Sequence, residues 1–270
     1  MPTTTDFFRY EELTWPDVAA LPRDTPLIIP LGEGYDLAKL ASALGNPSRA
    51  GLLPPIPFGW RGSGLAVPEA LLGQLVANLL DSLRDDGFSR VVALTPQAVD
   101  LGLGAQRIAL PHASQFTPEP LLPEPEALDK VVLIPIGHTE QHGFHLPLAT
   151  DTLIIGHIGR ETAVSHPHLA TSLPVFPYGV STHRQAFAGT LNCGGRAFED
   201  FWLGVIDVLV ARGFSKMYLM SGHGGNVSFL VNTIKYAGER HRRMFCATAW
   251  LHTSGKLGAE AIEKYRRSAR

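Results

Sequence analysis

Val131–Asp151, VVLIPIGHTEQHGFHLPLATD, brings most of this chain's metal-capable residues into one short stretch. Four apolar residues ahead of Pro135 read as a buried strand. The chain then turns polar at once, with His138, Glu140, His142, His145 and Asp151 following in quick succession. Histidine, glutamate and aspartate are the usual nitrogen and oxygen ligands of divalent transition metals. A strand that empties into such a loop is how open α/β sheets build sites, at the carboxyl ends of their strands. A second cluster, SGHGGN at Ser221–Asn226, follows another apolar strand, Met217–Met220. Its glycines let backbone come close to His223 or to a ligand, and permit positive φ.

Glu140 and His142 stand two apart, so in extended backbone their side chains leave on the same side. Asp151 precedes an apolar helical stretch (Leu153, Ile154, Ile155, Ile158) and by itself reads as an N-cap. Beside Glu140 and His142 it reads better as a carboxylate bridging two ions. His223 completes the ligand set. One pair of histidines, one glutamate and one shared aspartate suit a dinuclear site better than a single ion. Two divalent ions, zinc, manganese or iron, lower the pKa of water toward neutrality and polarise a carbonyl for attack. The chemistry expected is metal-assisted hydrolysis.

Around this set, YGVSTHRQAFAGTL (178–191) supplies His183, expected as a catalytic or substrate-side residue, the alternative being a simply exposed histidine. Ser181 and Gly224 are expected at the substrate. His145 is expected to orient a ligand from outside the coordination sphere. Asn226 reads as the N-cap of a helix over 227–242. Cys193 in NCGG, without a base near it in sequence, reads as a buried small thiol. His112, His157, His166, His168, His241 and His252 read as structural or surface residues.

The elements that position these residues form an alternating β/α pattern. Residues 11–21 predict a short helix, 26–31 a strand, and 68–86 an amphipathic helix with Leu71, Leu72, Leu75, Leu79 and Leu83 at helical spacing. Gly87 stands where a C-cap glycine belongs, and 91–94 predict the next strand. Residues 111–127 carry five prolines and several acids and read as a linker. The second half repeats the order of the first. PLG at 30–32 aligns with PIG at 135–137, LPPIPFG at 53–59 with LPVFPYG at 173–179, and LLDSLRDDGFSRVVALTP at 79–96 with VIDVLVARGFSKMYLMSG at 205–222. On these offsets Glu140 falls on Tyr35, His142 on Leu37 and His223 on Gln97. The expectation is a degenerate half without ligands (1–110), a linker (111–127) and a half that bears the site (128–270).

A net charge of −2 gives no reason to propose a nucleic acid or an anionic membrane as partner. No apolar run approaches the length of a bilayer span. The first residues have no apolar h-region, and two cysteines make no disulfide framework. The chain is therefore expected to be cytoplasmic.

PIGHTEQHGFHLPLATD, YGVSTHRQAFAGTL, the helix ending in ARGF and SGHGGN together resemble the creatininase (creatinine amidohydrolase) family in one continuous order over about residues 130–230. LTWPDVAALP ahead of PLIIPLG is similar to the opening of such proteins. The resemblance implies a three-layer α/β/α sandwich around a mainly parallel sheet, assembled as a homo-oligomer such as a hexamer. It implies two metals, with Glu140 and His223 on one, His142 on the other and Asp151 between them. It also implies hydrolysis of a C–N bond in a small amide, formamide, lactam or short peptide. His138 and Phe144 replace the small residue and the proline usual in the motif. Gly225 stands where creatininase proper carries an acidic residue, which speaks against creatinine as the substrate. The family's closing HAG-x-x-ETS segment is not found before Arg270. Glu33 and Asp36 are candidate donors in its place, and the alternative to an enzyme is an inactive scaffold or partner subunit.

Overall fold

The computed structural model describes residues 5–112, 128–182, 186–252 and 255–266. Its first half builds a five-stranded sheet. Strand β1 (Asp6–Arg9) is followed by helix α1 (Trp15–Ala20), β2 (Leu27–Pro30), α2 (Leu37–Ala43), β3 (Arg49–Leu52), α3 (Glu69–Asp85), β4 (Val91–Pro96) and β5 (Arg107–Leu110). The strand order is β1-β3-β2-β4-β5 and every pairing is parallel. The second half adds β6 (Val131–Ile136), α4 (Thr150–Ser165), β7 (Ala170–Ser172), α5 (Gly195–Ala211), β8 (Lys216–Ser221), α6 (Val227–Arg240), β9 (Phe245–Trp250) and α7 (Lys256–Tyr265). These strands form a second parallel sheet, β7-β6-β8-β9.

The α/β class and the parallel pairing match the expectation, and the strands divide between two sheets. A single hydrophobic core joins them. Phe58 and Leu75 from the first half pack in the same cluster as Phe176, Phe201 and Trp202 from the second, and the Phe58 and Phe176 rings lie 5.6 Å apart. β2 is buried at all four positions, and β6 at all but its first. Apolar runs of this kind belong to parallel strands covered on both faces.

The two halves share more than strand order. Ile28 pairs with Val92 in the first sheet and Leu133 with Tyr218 in the second. Ile28 also pairs with Leu52, and Leu133 with Ser172. The isolated bridges Leu31–Ile56 and Ile136–Phe176 complete the parallel. Each pair maps onto its counterpart through the offsets of the sequence matches. The repeated GFS is a repeated helix stop: Phe88 donates to the Leu83 carbonyl and Gly87 to Arg84, as Phe214 does to Leu209 and Gly213 to Val210. Gly87 and Gly213 have φ of 92° and 97°, the left-handed geometry of this C-cap. Residues 113–127, most of the expected linker, lie outside the described residues. Among the described residues no helix is long and apolar enough to cross a membrane.

Candidate metal centre

β6 and β8 are adjacent, and their ladder ends on the pair Ile136–Ser221. The loops that follow therefore leave the same edge side by side, one carrying His138–His142 and the other His223. Asp151 enters from above, in the first turn of α4. Gly222 makes this approach possible, because a Cβ there would stand 2.5 Å from the Asp151 carbonyl oxygen. At Gly225 a Cβ would run into the Val180 carbonyl and His223 Nε2. Neither glycine, nor Gly224, has positive φ. The cluster of glycines serves close approach, and the positive φ allowed for in the sequence is not used.

Asn226 corrects the expectation of a helix cap: its side chain makes no cap hydrogen bond. The fully buried amide instead donates from Nδ2 to the Gly137 carbonyl, and its Oδ1 accepts from the Val180 amide. It ties the end of β6 to the 178–181 segment beneath the cluster.

All four expected ligands come together. His223 Nδ1 lies 2.8 Å from Glu140 Oε1 and 3.1 Å from Asp151 Oδ2. The other oxygen of Asp151, Oδ1, lies 3.1 Å from His142 Nε2. Asp151 thus offers one oxygen to each histidine. Two overlapping groups, Glu140–His142–Asp151 and His138–Glu140–His223, each place their ligand atoms within 4.8 Å of one another. Buried nitrogen and carboxylate donors at this spacing fit divalent metal.

The electrostatics have the same origin. Burial alone would lower the pKa of His223, but its hydrogen bonds to Asp151 and Glu140 outweigh that and raise it to about 9. His142 is likewise raised against the effect of burial, by Asp151. Burial would push Asp151 up, yet hydrogen bonds to the two histidines hold it far below the usual carboxylate range. Metal binding at His223 must displace the proton that its raised pKa favours.

The remaining predicted residues divide. Ser181 is fully buried, and its hydroxyl donates to Glu140 Oε2 at 3.2 Å, which commits it to the carboxylate. Gly224 lies under the Trp250 ring. His145 is exposed and belongs to neither ligand group among the described residues. His183 lies outside the described residues. Glu33 lines a cavity of about 280 Å³ at the first sheet with Arg9 and Tyr35, and Asp36 caps α2 by accepting from the Ala38 and Lys39 amides. Neither joins the ligand groups. Cys193 is buried, as expected. The residue underrated in the sequence is His138. It is fully buried, its ring centroid stands 4.4 Å from that of His223, and burial followed by the His223 charge pushes its pKa down. The signal was present: His138, Glu140 and His142 recur at every second residue.

Part of the chain matches known proteins. The family described as creatinine amidohydrolase matches residues 121–268. A mycofactocin precursor peptide peptidase of Mycobacterium ulcerans is 38% identical over 111 residues, covering 38% of this chain and 44% of that protein. The creatinine amidohydrolase of Pseudomonas putida is 26% identical over 134 residues, covering 45% of this chain and 51% of that protein. A solved structure of a mutant creatininase superposes with a TM-score of 0.44 at 25% identity, covering 46% of this chain and 53% of that one. The chain thus spans about half the length of the relatives it matches. With more than half of its own residues inside the family match, it belongs to the creatininase family.

Proposed function

We propose that this chain is a metal-dependent amidohydrolase that cleaves a C–N bond in a small amide, formamide, lactam or short peptide. The observation that carries the proposal is the position of Asp151, one carboxylate oxygen on His142 and the other on His223. That is the arrangement a carboxylate shared by two ions requires. Glu140 and His223 would hold one ion and His142 the other. Zinc, manganese and iron all suit these donors. When bound, the ions supply an activated water and polarise the carbonyl.

The chain's own residues do the rest. Ser181 fixes the Glu140 carboxylate through its hydroxyl. Val180 orients His223 by accepting from Nε2–H, and the Glu140 carbonyl orients His142 by accepting from Nδ1–H. Such second partners fix the ring and raise its basicity as a ligand. His183 is proposed on the substrate side, shuttling a proton, and Gly224 as a close backbone approach to substrate. Creatinine is not the proposed substrate, since no acidic side chain fits at Gly225. The first half is proposed as a degenerate copy of the second, supported by the shared register. A cytoplasmic homo-oligomer is the proposed form.

The direct test is hydrolysis of a panel of formamides, lactams and short peptides by the zinc- or manganese-loaded chain. Activity lost with chelator and restored by metal supports the proposal. A fully loaded chain inert toward the whole panel contradicts it.

A further inference from the structure

Helix α3 belongs to the half that carries none of the expected metal ligands, yet one of its faces is bonded to the other half. Asn78, Ser82 and the C-cap residue Asp86 follow at every fourth position, so they share that face. Each meets the backbone of one segment, 189–193, which leads into α5. Asp86 Oδ2 accepts from the Gly189 amide at 2.8 Å. Ser82 Oγ accepts from the Asn192 amide at 3.1 Å. Asn78 Nδ2 donates to the Cys193 carbonyl at 2.8 Å, and Gln74 fixes the direction of that amide by donating to its Oδ1. On the repeat, α5 carries Val208 and Arg212 where α3 carries Ser82 and Asp86. This polar face is therefore a property of the first copy alone.

The same segment also meets the loop that bears Glu140. The Leu191 amide donates to the Thr139 carbonyl at 3.1 Å, and Thr190 Oγ1 accepts from the Gln141 amide at 3.3 Å. Thr139 and Gln141 are the chain neighbours of Glu140 on either side. One segment thus grips the backbone before and after that carboxylate. Its groups divide between two partners, residues 189, 192 and 193 bonding to α3 and residues 190 and 191 to the loop. Gly194 lets it lie this close to α3, because a Cβ there would stand 2.4 Å from Asn78 Nδ2.

We propose that Asn78, Ser82 and Asp86 are positioning residues for Glu140, acting through residues 189–193, so that the half without ligands sets the geometry of the half that has them. Glu140 as a metal ligand rests on the hydrolase reading above; its coupling to α3 rests on the hydrogen bonds alone. A ligand carried on a loop keeps its aim only where the backbone beneath it is held, and loss of such outer support weakens metal binding. Removing the Asp86 carboxylate leaves the buried Gly189 amide unpaired, which is unfavourable. The segment relaxes to satisfy it, and the Leu191–Thr139 and Thr190–Gln141 bonds loosen in turn.

The test is amide hydrogen exchange and zinc titration on the full chain. In the double variant Ser82→Ala with Asp86→Ala, the Leu191 and Gln141 amides are expected to exchange at least about tenfold faster. The Leu31 and Leu173 amides, which donate to the Leu94 and Leu133 carbonyls in the two sheets, are expected to stay within about threefold. Zinc affinity is expected to fall about tenfold or more, the cost of losing an outer partner. Asp86→Asn keeps an oxygen for the Gly189 amide and is expected to stay within about threefold of the unaltered chain on both readings. A merely structural role would quicken exchange at Leu31 and Leu173 as much as at Leu191 and Gln141. That result would overturn the assignment, as would unchanged exchange at Leu191 and Gln141 or an unchanged zinc affinity in the double variant. If the double variant does not fold, Asp86→Ala alone is read in the same way. If the unaltered chain binds no zinc, the hydrolase reading fails, and the exchange rates still decide the coupling.

Discussion

Asp151 Oδ2 stands 3.1 Å from His223 Nδ1, joining a carboxylate in the first turn of α4 to an imidazole beyond the end of β8. Its second oxygen faces His142. Removing Asp151 therefore disconnects both histidines at once. Asp151→Ala and His142→Ala are each expected to weaken zinc binding more than a hundredfold, beyond the ~10–100-fold cost of losing an outer partner. Both variants should keep the circular dichroism of the unaltered chain. Full zinc occupancy in both would remove the ligand assignment.

Proton and metal compete for His223. Its metal-free pKa of about 9 lies above the ordinary value of 6.5. The sign follows: the metal-free fold gains stability from this group fully below about pH 6.5, and loses that gain as pH rises through about 9. Zinc affinity moves the other way, strengthening as pH rises toward about 9 because less proton must be displaced. Thermal melts of metal-free and zinc-loaded protein from pH 6 to 9.5 should diverge, the metal-free curve falling and the gap between them widening. A gap independent of pH would contradict proton displacement at His223.

Gly225 is held glycine by contact. Gly225→Ala places a methyl against the Val180 carbonyl and His223 Nε2, two groups that hydrogen-bond each other. The expected cost is about 1–3 kcal/mol of stability, typical of overpacking, together with weaker zinc binding. Denaturant unfolding and a zinc titration read the two effects. A neutral variant would show that the loop has slack at this point.

The two halves are also linked by single bonds between their loops. Tyr178, fully buried, donates its hydroxyl to the Pro54 carbonyl at 2.5 Å. Tyr178→Phe leaves that carbonyl unpaired and is expected to cost about 1–3 kcal/mol, with zinc content unchanged. Loss of zinc in this variant would mean that the first half shapes the site more directly than its contacts suggest.

Much of this was legible in the sequence because the informative residues are local. Glu140 and His142 at a spacing of two, His223 among glycines after a strand, and the paired GFS helix stops each carry their geometry within a few positions. The packing of the two sheets on each other could not be read that way, since it joins Phe58 of the first half to Phe176 and Trp202 of the second. Asn226 shows the same limit. An asparagine ahead of a helix reads as a cap, and only the fold brings Gly137 and Val180 close enough to claim its amide. His138 was visible at the same period-two spacing as the ligands, but its ring's contact with the Gly179 amide is made only by the fold. That contact lies between residues far apart in the chain.

The most direct test of the shared-carboxylate centre is metal content per chain, measured by inductively coupled plasma mass spectrometry on protein purified without chelator. The account predicts about two divalent ions per chain, and fewer than one in Asp151→Ala. A chain that carries no metal, or an Asp151→Ala variant that keeps both ions, would contradict it.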